Sequence, residues 1–529
     1  MDDACDQVRR GTTRRWPWPA IGLIVVCVYV AFPNARPDLT PFNCDDSEAY
    51  IGLAGSIADG RGYTRCLNPD QYIPHKTWPP GLPLLIAPVI RVFGLNLLPI
   101  KWLMCAIGLV GLMFFYLLIR DLTDTRLAGW ATAATACSAH YFWFSHQVMS
   151  EVPTFAVSAT ALYLVQRVLR DPGRWSWWCA AGAVIGYGAL IKGLALLLVI
   201  TPLGAVRRIQ TRDRRPVAVR YAVFVLISIV PTAAWAVRNS RVQAESLDAI
   251  NQFRMLFQET PNDPNSRLIT PRRLAQQIYE NVAWGLIYRI PDQTLPLVHT
   301  LRLRDRPGGA FVALVLTTLV IVALIVTAWR RFWPLHLYVF VTLGLLSWFS
   351  TGGSARYFVP LAPMFILVVG AAVRSSRWWL RLGRTGPILA CVWLGAAAVD
   401  LAAAVYRQET SPYADRVWAQ FVDIARQART TLPDDATVYV HNANAFTIVS
   451  GRRTWIDQPG VLFDLLNALR TRRITHLVVS RGGRPRDDAR RQWVRTHPHV
   501  LKKVWTCRTY EVYTCACSTS RSVVPSDPP

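Results

Sequence analysis

WWCAAGAVIGYGALIKGLALLLVITPLGAV, Trp177 to Val206, runs for thirty residues with a single charge, Lys192, and decides what kind of protein this is. A run of that length exceeds the about 20 apolar residues an α-helix needs to cross a bilayer. The interruption at Lys192-Gly193 splits it into two helical pieces, Trp177 to Leu190 and Leu194 to Val206. Outward from it, runs of the same character recur at Pro17–Phe32, Ile100–Ile119, Ala128–Phe144, Val152–Val168 and Tyr221–Val237. They continue at Ala310–Ala328, Leu335–Phe349, Val359–Val373 and Pro387–Val405. The sequence thus predicts a polytopic α-helical membrane protein of about 11 transmembrane helices, several of them broken or tilted. The first run reads as a retained anchor, because no convincing small-x-small cleavage site follows it.

The 529 residues are 52% hydrophobic and 17% charged, yet they carry 58 Lys+Arg against 33 Asp+Glu, a net charge of +25. So apolar a chain, with 21 Trp, is neither disordered nor a small disulfide scaffold. A basic balance of this size invites a nucleic-acid partner. The positions of the arginines point elsewhere. Arg9, Arg10, Arg14 and Arg15 precede the first span, and alternate loops carry Arg120 and Arg126, then Arg167, Arg170 and Arg174, then Arg207 to Arg220. Arg330 and Arg331, then Arg374 to Arg384, continue the series, while Ser145–Ser150 and Ser350–Arg356 are nearly free of arginine. That is the positive-inside pattern, and it predicts a cytoplasmic N-terminus (1–16) with anionic membrane lipids, not nucleic acid, facing the arginines. Residues 17–410 then form the transmembrane domain, with outer loops at 33–99 and 239–309 and a tail beginning at 411 outside the cytoplasm.

The tail, 411–517, reads as a small soluble α/β domain. Tyr413–Leu432 has helical period with Val417, Phe421, Ile424 and Ala425 on one face, and Ala436–Val440, Thr447–Ser450 and His476–Ser480 read as strands. Gln458–Thr471 and Arg486–Thr496 read as helices, and Val500–Thr514 as a hairpin broken near Arg508. No nucleophile elbow, phosphate loop or dinucleotide fingerprint occurs in it, which makes it an accessory domain. Residues 518–529, polar and Pro-rich, read as a disordered end. Of 11 Cys, Cys27, Cys105, Cys137, Cys179 and Cys391 lie in or beside spans as small packing residues. Cys44 and Cys66 share the first outer loop, and Cys507, Cys515 and Cys517 the tail. On an oxidising face they can form Cys44–Cys66 and one tail disulfide, or stay thiols. No Cys or His spacing suggests zinc.

Chemistry is expected where polar residues meet the outer face. Asn43-Cys44-Asp45-Asp46-Ser47-Glu48-Ala49-Tyr50 opens an amphipathic helix that leads to Asp59-Gly60-Arg61-Gly62-Tyr63. Its acids suit a lipid head group, but they also make a good helix start. His75-Lys76-Thr77-Trp78-Pro79-Pro80-Gly81-Leu82-Pro83 is a rigid turn before an apolar helix, or an interfacial loop anchored by Trp78. Glu151 in Ser150-Glu151-Val152-Pro153 places a carboxylate at the mouth of a span, where it is costly and a functional candidate, or serves a helix start capped by Ser150. Lys192, Arg238 and Arg356-Tyr357 put cations at the same face, suited to a phosphate or to snorkelling.

The succession of these motifs resembles the GT-C superfamily of membrane glycosyltransferases. The acidic pair, Gly60-Arg61-Gly62-Tyr63, Trp78-Pro79-Pro80-Gly81-Leu82-Pro83, Ser150 to Pro153, Leu190 to Gly193, Trp235 to Asn239 and Arg356 to Pro360 stand in the order of its bacterial members. Those members are similar to protein O-mannosyltransferases and lipid A aminoarabinose transferases, and the resemblance covers about residues 17 to 405. It implies a bacterial-type inner or plasma membrane and transfer of a sugar from a polyprenyl-phosphate donor to an extracytoplasmic acceptor, a lipid, glycan or protein. It implies a general base at Asp46, with Asp45 the fallback, because Ser47 stands where many relatives have a second acid. Glu151 becomes the second acidic site. Lys192, Arg238 and Arg356 become the cations that hold the carrier phosphate, with His75 and Tyr357 as further donor contacts. No cofactor is expected; some members of the superfamily use a metal, but the acids here form no dense cluster, and a metal-independent enzyme is predicted. A transporter or flippase, or a structural subunit with a binding tail, are the competing classes. The first favours inverted repeats with midplane charges, and no convincing internal repeat is present.

Overall fold

The computed structural model describes residues 18–35, 45–68, 71–203, 214–242, 257–259, 267–298, 308–328, 333–349, 355–375, 385–410, 414–440, 443–456, 474–481, 485–507 and 510–515. Helix α1 (Trp18–Ala35) leads to α2 (Asp45–Ala58), a two-stranded antiparallel ribbon of β1 (Thr64–Asn68) and β2 (Gln71–Pro74), and α3 (Gly81–Phe93). The helical body follows as α4 (Leu97–Leu122), α5 (Thr125–Ala136), α6 (Ala139–Ser145), α7 (Glu151–Arg170) and α8 (Trp175–Ile191). A 3-10 helix (Gly193–Ile200) precedes α9 (Arg214–Arg241), α10 (Pro271–Trp284) and α11 (Ile290–Thr294). The body ends with α12 (Gly309–Ala328), α13 (Trp333–Trp348), a 3-10 turn (Ala355–Phe358), α14 (Ala362–Ser375) and α15 (Thr385–Thr410). By length and composition Leu97–Leu122, Glu151–Arg170 and Arg215–Arg241 are long and apolar enough to cross a membrane, and shorter apolar helices accompany them. Leu23, Ile24, Leu226, Phe311, Leu319, Ile325 and Val392 are exposed on α1, α9, α12 and α15, as lipid-facing side chains are.

Two expected spans take different forms. Ala128–Phe144 is not one helix but α5 and α6, which break at Cys137-Ser138. The Tyr29 hydroxyl donates to the Ala136 carbonyl at 2.9 Å and the Tyr141 hydroxyl to the Gly108 carbonyl at 2.7 Å. The first bond satisfies a backbone group that the interrupted helix releases, as an apolar medium demands. Leu194–Val206 becomes, over its first part, the 3-10 helix Gly193–Ile200. Gly182 packs on Phe224 and Ile227, and Gly186 on Ile227, Ser228 and Pro231, so α8 and α9 run parallel. The connection must therefore carry the chain back along the body. Eight residues of 3-10 helix cover about 16 Å, further than the same residues in an α-helix. By Val199, whose carbonyl accepts the Tyr221 hydroxyl at 3.2 Å, the chain lies again beside the start of α9.

These directions sort the charges. At the far end from Lys192, Asp121 near the end of α4 pairs with Arg167 and Arg170 of α7, each at 3.1 Å. The segment 239–309, expected as a loop, contains α10, a π-turn (Gly285–Arg289) and α11. Asn281 of α10 donates to the Ser347 and Phe349 carbonyls at 3.0 and 2.7 Å, which fastens α10 to the end of α13.

In the tail, α16 (Ala414–Thr431), β3 (Thr437–Val440), α17 (Ala443–Ser450), β4 (Arg453–Ile456), β5 (His476–Ser480), α18 (Pro485–Thr496), β6 (Leu501–Cys507) and β7 (Tyr510–Cys515) form a sheet of order β4-β3-β5-β7-β6 with its helices. Thr447–Ser450 is the last half of α17, not a strand. Thr447 and Ser450 turn their hydroxyls onto Thr454 and the Phe446 carbonyl, and the strand begins at Arg453 after Gly451 at φ +68°. The expected helix Gln458–Thr471 and residues 518–529 lie outside the described residues. So do Cys44, Cys517 and the side chains of Cys66 and Cys507, on which the disulfide expectations fall. Cys27, Cys105, Cys137, Cys179 and Cys391 are unpaired.

Gly81 packs directly on the backbone at the end of α8. A Cβ there would lie 2.6 Å from the Leu190 carbonyl carbon and oxygen, and the Tyr187 hydroxyl donates to the Gly81 carbonyl at 2.8 Å. Backbone cannot yield as a side-chain tip does, so Gly81→Ala must shift α3 off α8, at a cost of about 1–3 kcal/mol. The expected result is a lowered thermal midpoint in detergent, with activity falling further than folded fraction because Lys192 follows Ile191 immediately.

Candidate active site

At the arginine-poor end, the N-terminus of α7, the C-terminus of α8, the turn before α14 and the first turn of α2 bring four charged side chains together. Glu151 is the first residue of α7 and is 1% exposed. Lys192 ends α8 in an extended conformation, where its N–H still bonds the Gly188 carbonyl at 2.8 Å. That break in the helix turns its ammonium onto Glu151 Oε1 at 3.1 Å. Asp46 Oδ2 accepts from Arg356 at 2.6 Å. Tyr357 joins the two pairs: its hydroxyl accepts from Arg356 at 3.1 Å, and its ring lies 4.7 Å beneath the Lys192 ammonium and 5.0 Å from the Arg356 guanidinium. Cation–π contact of that kind holds a cation in place without neutralising it.

Tyr50 closes the arrangement from α2. It is buried, its hydroxyl hydrogen-bonds Ser150, and burial followed by the nearby charges of Asp46 and Glu151 pushes its phenol well up. Its phenol therefore stays neutral beside the two carboxylates. Of the residues expected from sequence, Asp46, Glu151, Lys192, Arg356 and Tyr357 are one contiguous cluster. The side chain of Asp45 lies outside the described residues.

His75 and Arg238 sit in a second cluster. Trp78 N–H donates to His75 Nε2 at 2.9 Å and the two rings stack at 4.8 Å, which locks the turn before α3. Arg238 donates to the His75 carbonyl, to the Tyr63 carbonyl at 3.0 Å and to Asn239 Oδ1 at 2.9 Å, with Trp235 at 5.0 Å beneath it. Among the described residues no hydrogen bond or ion pair joins Arg238 to Asp46, Glu151 or Lys192. Here it ties the ribbon to the end of α9, with Asn239 donating to the Lys76 carbonyl at 3.2 Å.

Sequence reading passed over Lys101, which is 2% exposed in the first turns of α4 and whose charge acts on His146. It bears the same signature as Lys192, one cation in an apolar run, and that signature was available. His140 and Asp292, paired at 3.2 Å, together with Asp400 line a further polar cavity between α6, α11 and α15. Asp292 lay in a stretch expected as loop, and its pairing depends on α11. Among the described residues no three His, Cys, Asp or Glu side chains gather as metal ligands.

Residues 77–235 match the family model described as dolichyl-phosphate-mannose-protein mannosyltransferase. In structure the chain is similar to ArnT from Cupriavidus metallidurans in the apo state, with a TM-score of 0.62 at 13% identity, over 95% of this chain and 98% of that one. The chain has the fold of that ArnT. The same ArnT bound to undecaprenyl phosphate matches with a TM-score of 0.58 at 14% identity, over 96% and 98% of the two chains. An Archaeoglobus fulgidus oligosaccharyltransferase tethered with an acceptor peptide matches at 0.55 and 12% identity, over 88% of this chain and 69% of that one. Sequence comparison with curated proteins gives no match. The matched segment carries Gly81, Glu151 and Lys192, while Asp46, Arg356 and Tyr357 come from outside it.

Proposed function

We propose that this GT-C protein moves a sugar from a polyprenyl-phosphate donor to an acceptor hydroxyl on the extracytoplasmic side of a membrane. The observation that carries the reading is the alternation of carboxylate and cation through Asp46, Arg356, Tyr357, Lys192 and Glu151 at one end of the helical body. In this reaction the acceptor oxygen bonds to the anomeric carbon, and the bond from that carbon to the phosphate oxygen breaks. Its electron pair leaves on the polyprenyl phosphate, and the acceptor proton passes to Asp46. The leaving group is a phosphate already, so the protein needs chiefly to neutralise growing charge and deprotonate a nucleophile beside it. Arg356 and Lys192 supply the first function and Asp46 the second, while Glu151 orients Lys192. Cations on the chain take the part that a metal plays elsewhere, so the reaction is read as metal-independent.

The test is incubation of the purified protein with a panel of polyprenyl-phosphate sugars. Transfer or slow hydrolysis of one of them is expected, unchanged by EDTA. No turnover of any lipid-linked sugar, with solute movement across vesicles instead, overturns the enzyme reading. Activity lost to EDTA and restored by Mn²⁺ overturns metal independence alone.

A further inference from the structure

The first turn of α2 commits three consecutive side chains to three neighbours. Asp46 meets Arg356 of the helical body, the Ser47 hydroxyl reaches Met149 Sδ at 3.3 Å, and Glu48 accepts the backbone N–H of Ala445 at 3.2 Å. Ala445 is the third residue of α17, in the tail. The first N–H groups of a helix have no acceptor within it, and the positive end of its dipole favours a carboxylate. Glu48 supplies one from another part of the chain and is 3% exposed. Around the contact, Tyr50, Ile51 and Ala54 of α2, Leu82 of α3, and Phe421 and Phe446 of the tail belong to one buried cluster.

Residues two apart on a helix point about 200° apart. Asp46 and Glu48 therefore face opposite ways, one toward the helical body and one toward the tail. A rotation of α2 that moves one moves the other, so the tail contact fixes the angle at which Asp46 is shown to Arg356.

We propose that the tail is a positioning element for the transfer site, acting through Glu48 as a positioning residue held at the N-terminus of α17. The proposal rests on Asp46 being the base. It reads the sequence's accessory domain as a third anchor of the helix that carries that base.

The test uses the full chain in lipid nanodiscs with Glu48→Ala, Glu48→Gln and Ala445→Pro. Ala445→Pro deletes the N–H from the other side, at a first-turn position whose N–H has no acceptor within its own helix. Glu48→Ala is expected to lower kcat at least tenfold with the donor KM within twofold of wild type. Glu48→Gln keeps a carbonyl acceptor and recovers most of the rate, and Ala445→Pro reproduces the loss. Amide hydrogen exchange over residues 45–58, which needs no turnover, is expected to quicken in Glu48→Ala and Ala445→Pro. Wild-type kcat in both of those variants overturns the proposal, whatever the exchange shows. If Glu48→Ala does not accumulate, a rate gap between Glu48→Gln and Ala445→Pro supports the proposal, and wild-type rates in both overturn it. If the wild-type chain transfers no sugar, the functional reading has failed. Exchange then decides the coupling alone, unchanged rates in Ala445→Pro overturning it.

Discussion

Asp46→Asn abolishes glycosyl transfer, a fall of about 10²–10⁴-fold in kcat, while the protein still inserts and accumulates at the wild-type level. The substitution is nearly isosteric and leaves an oxygen to accept from Arg356, now 2.6 Å away. It removes the charge and with it the ability to take a proton from the acceptor. Because the pair is about a quarter exposed, with side chains at 24% and 29%, stranding Arg356 costs much less than in a dry core. Lost activity without lost protein is therefore the expected signature, read by transfer of a labelled sugar against the amount of folded chain. Asp45→Asn is the control. If Asp45→Asn is dead and Asp46→Asn near normal, the register is wrong by one residue. If both are active, the base lies elsewhere.

The Asp46–Arg356 pair joins that prediction to the donor. Arg356 is at once the partner of Asp46 and a proposed ligand of the carrier phosphate. A phosphate arriving at Arg356 competes with Asp46 for the same guanidinium, so donor binding would release the carboxylate for its acceptor. Two functions assigned separately from sequence are joined by one pair of atoms.

The helical body was legible because its signal is strong: long apolar runs separated by short polar stretches. α4, α7, α9, α12 and α15 fall where those runs fall. Sequence could not show that Leu194–Val206 returns partly as 3-10 helix, since hydropathy measures how apolar a run is and not its rise per residue. Nor could it show the break between α5 and α6, where the Ala136 carbonyl accepts from Tyr29, more than 100 residues away. In the tail, Thr447–Ser450 has strand-like composition, and its place in α17 follows from local hydroxyl bonds instead of from side-chain period. In the site, each charge was conspicuous alone: Asp46 at a helix start in a long loop, Glu151 at a span mouth, Lys192 inside an apolar run and Arg356 before a span. Their pairing was not legible, because 310 residues separate Asp46 from Arg356. Glu48 was read as a helix-start acid, which it is in type, but the helix it serves is α17 and not its own.

The Glu151–Lys192 pair allows structure and chemistry to be separated. Glu151 is 2% exposed at its side chain and Lys192 16%, so deleting one partner leaves the other charged and dry, a loss of about 3–5 kcal/mol. Lys192→Met is thus expected to lower both the thermal midpoint and the rate, and taken alone it cannot say which loss causes the other. The double variant Glu151→Met/Lys192→Met can. Two apolar side chains of similar volume remove both charges, and replacing a buried pair this way is often neutral for stability. The midpoint should recover most of the way to wild type. Activity should not, because the phosphate then has lost a cation that no apolar substitute provides. Titration with polyprenyl phosphate, read beside the thermal midpoint, gives the decisive column: binding weakened in the single and double variants alike assigns Lys192 to the donor. Recovery of binding and turnover together with stability in the double variant would instead make the pair a structural ion pair, and leave the phosphate to Arg356.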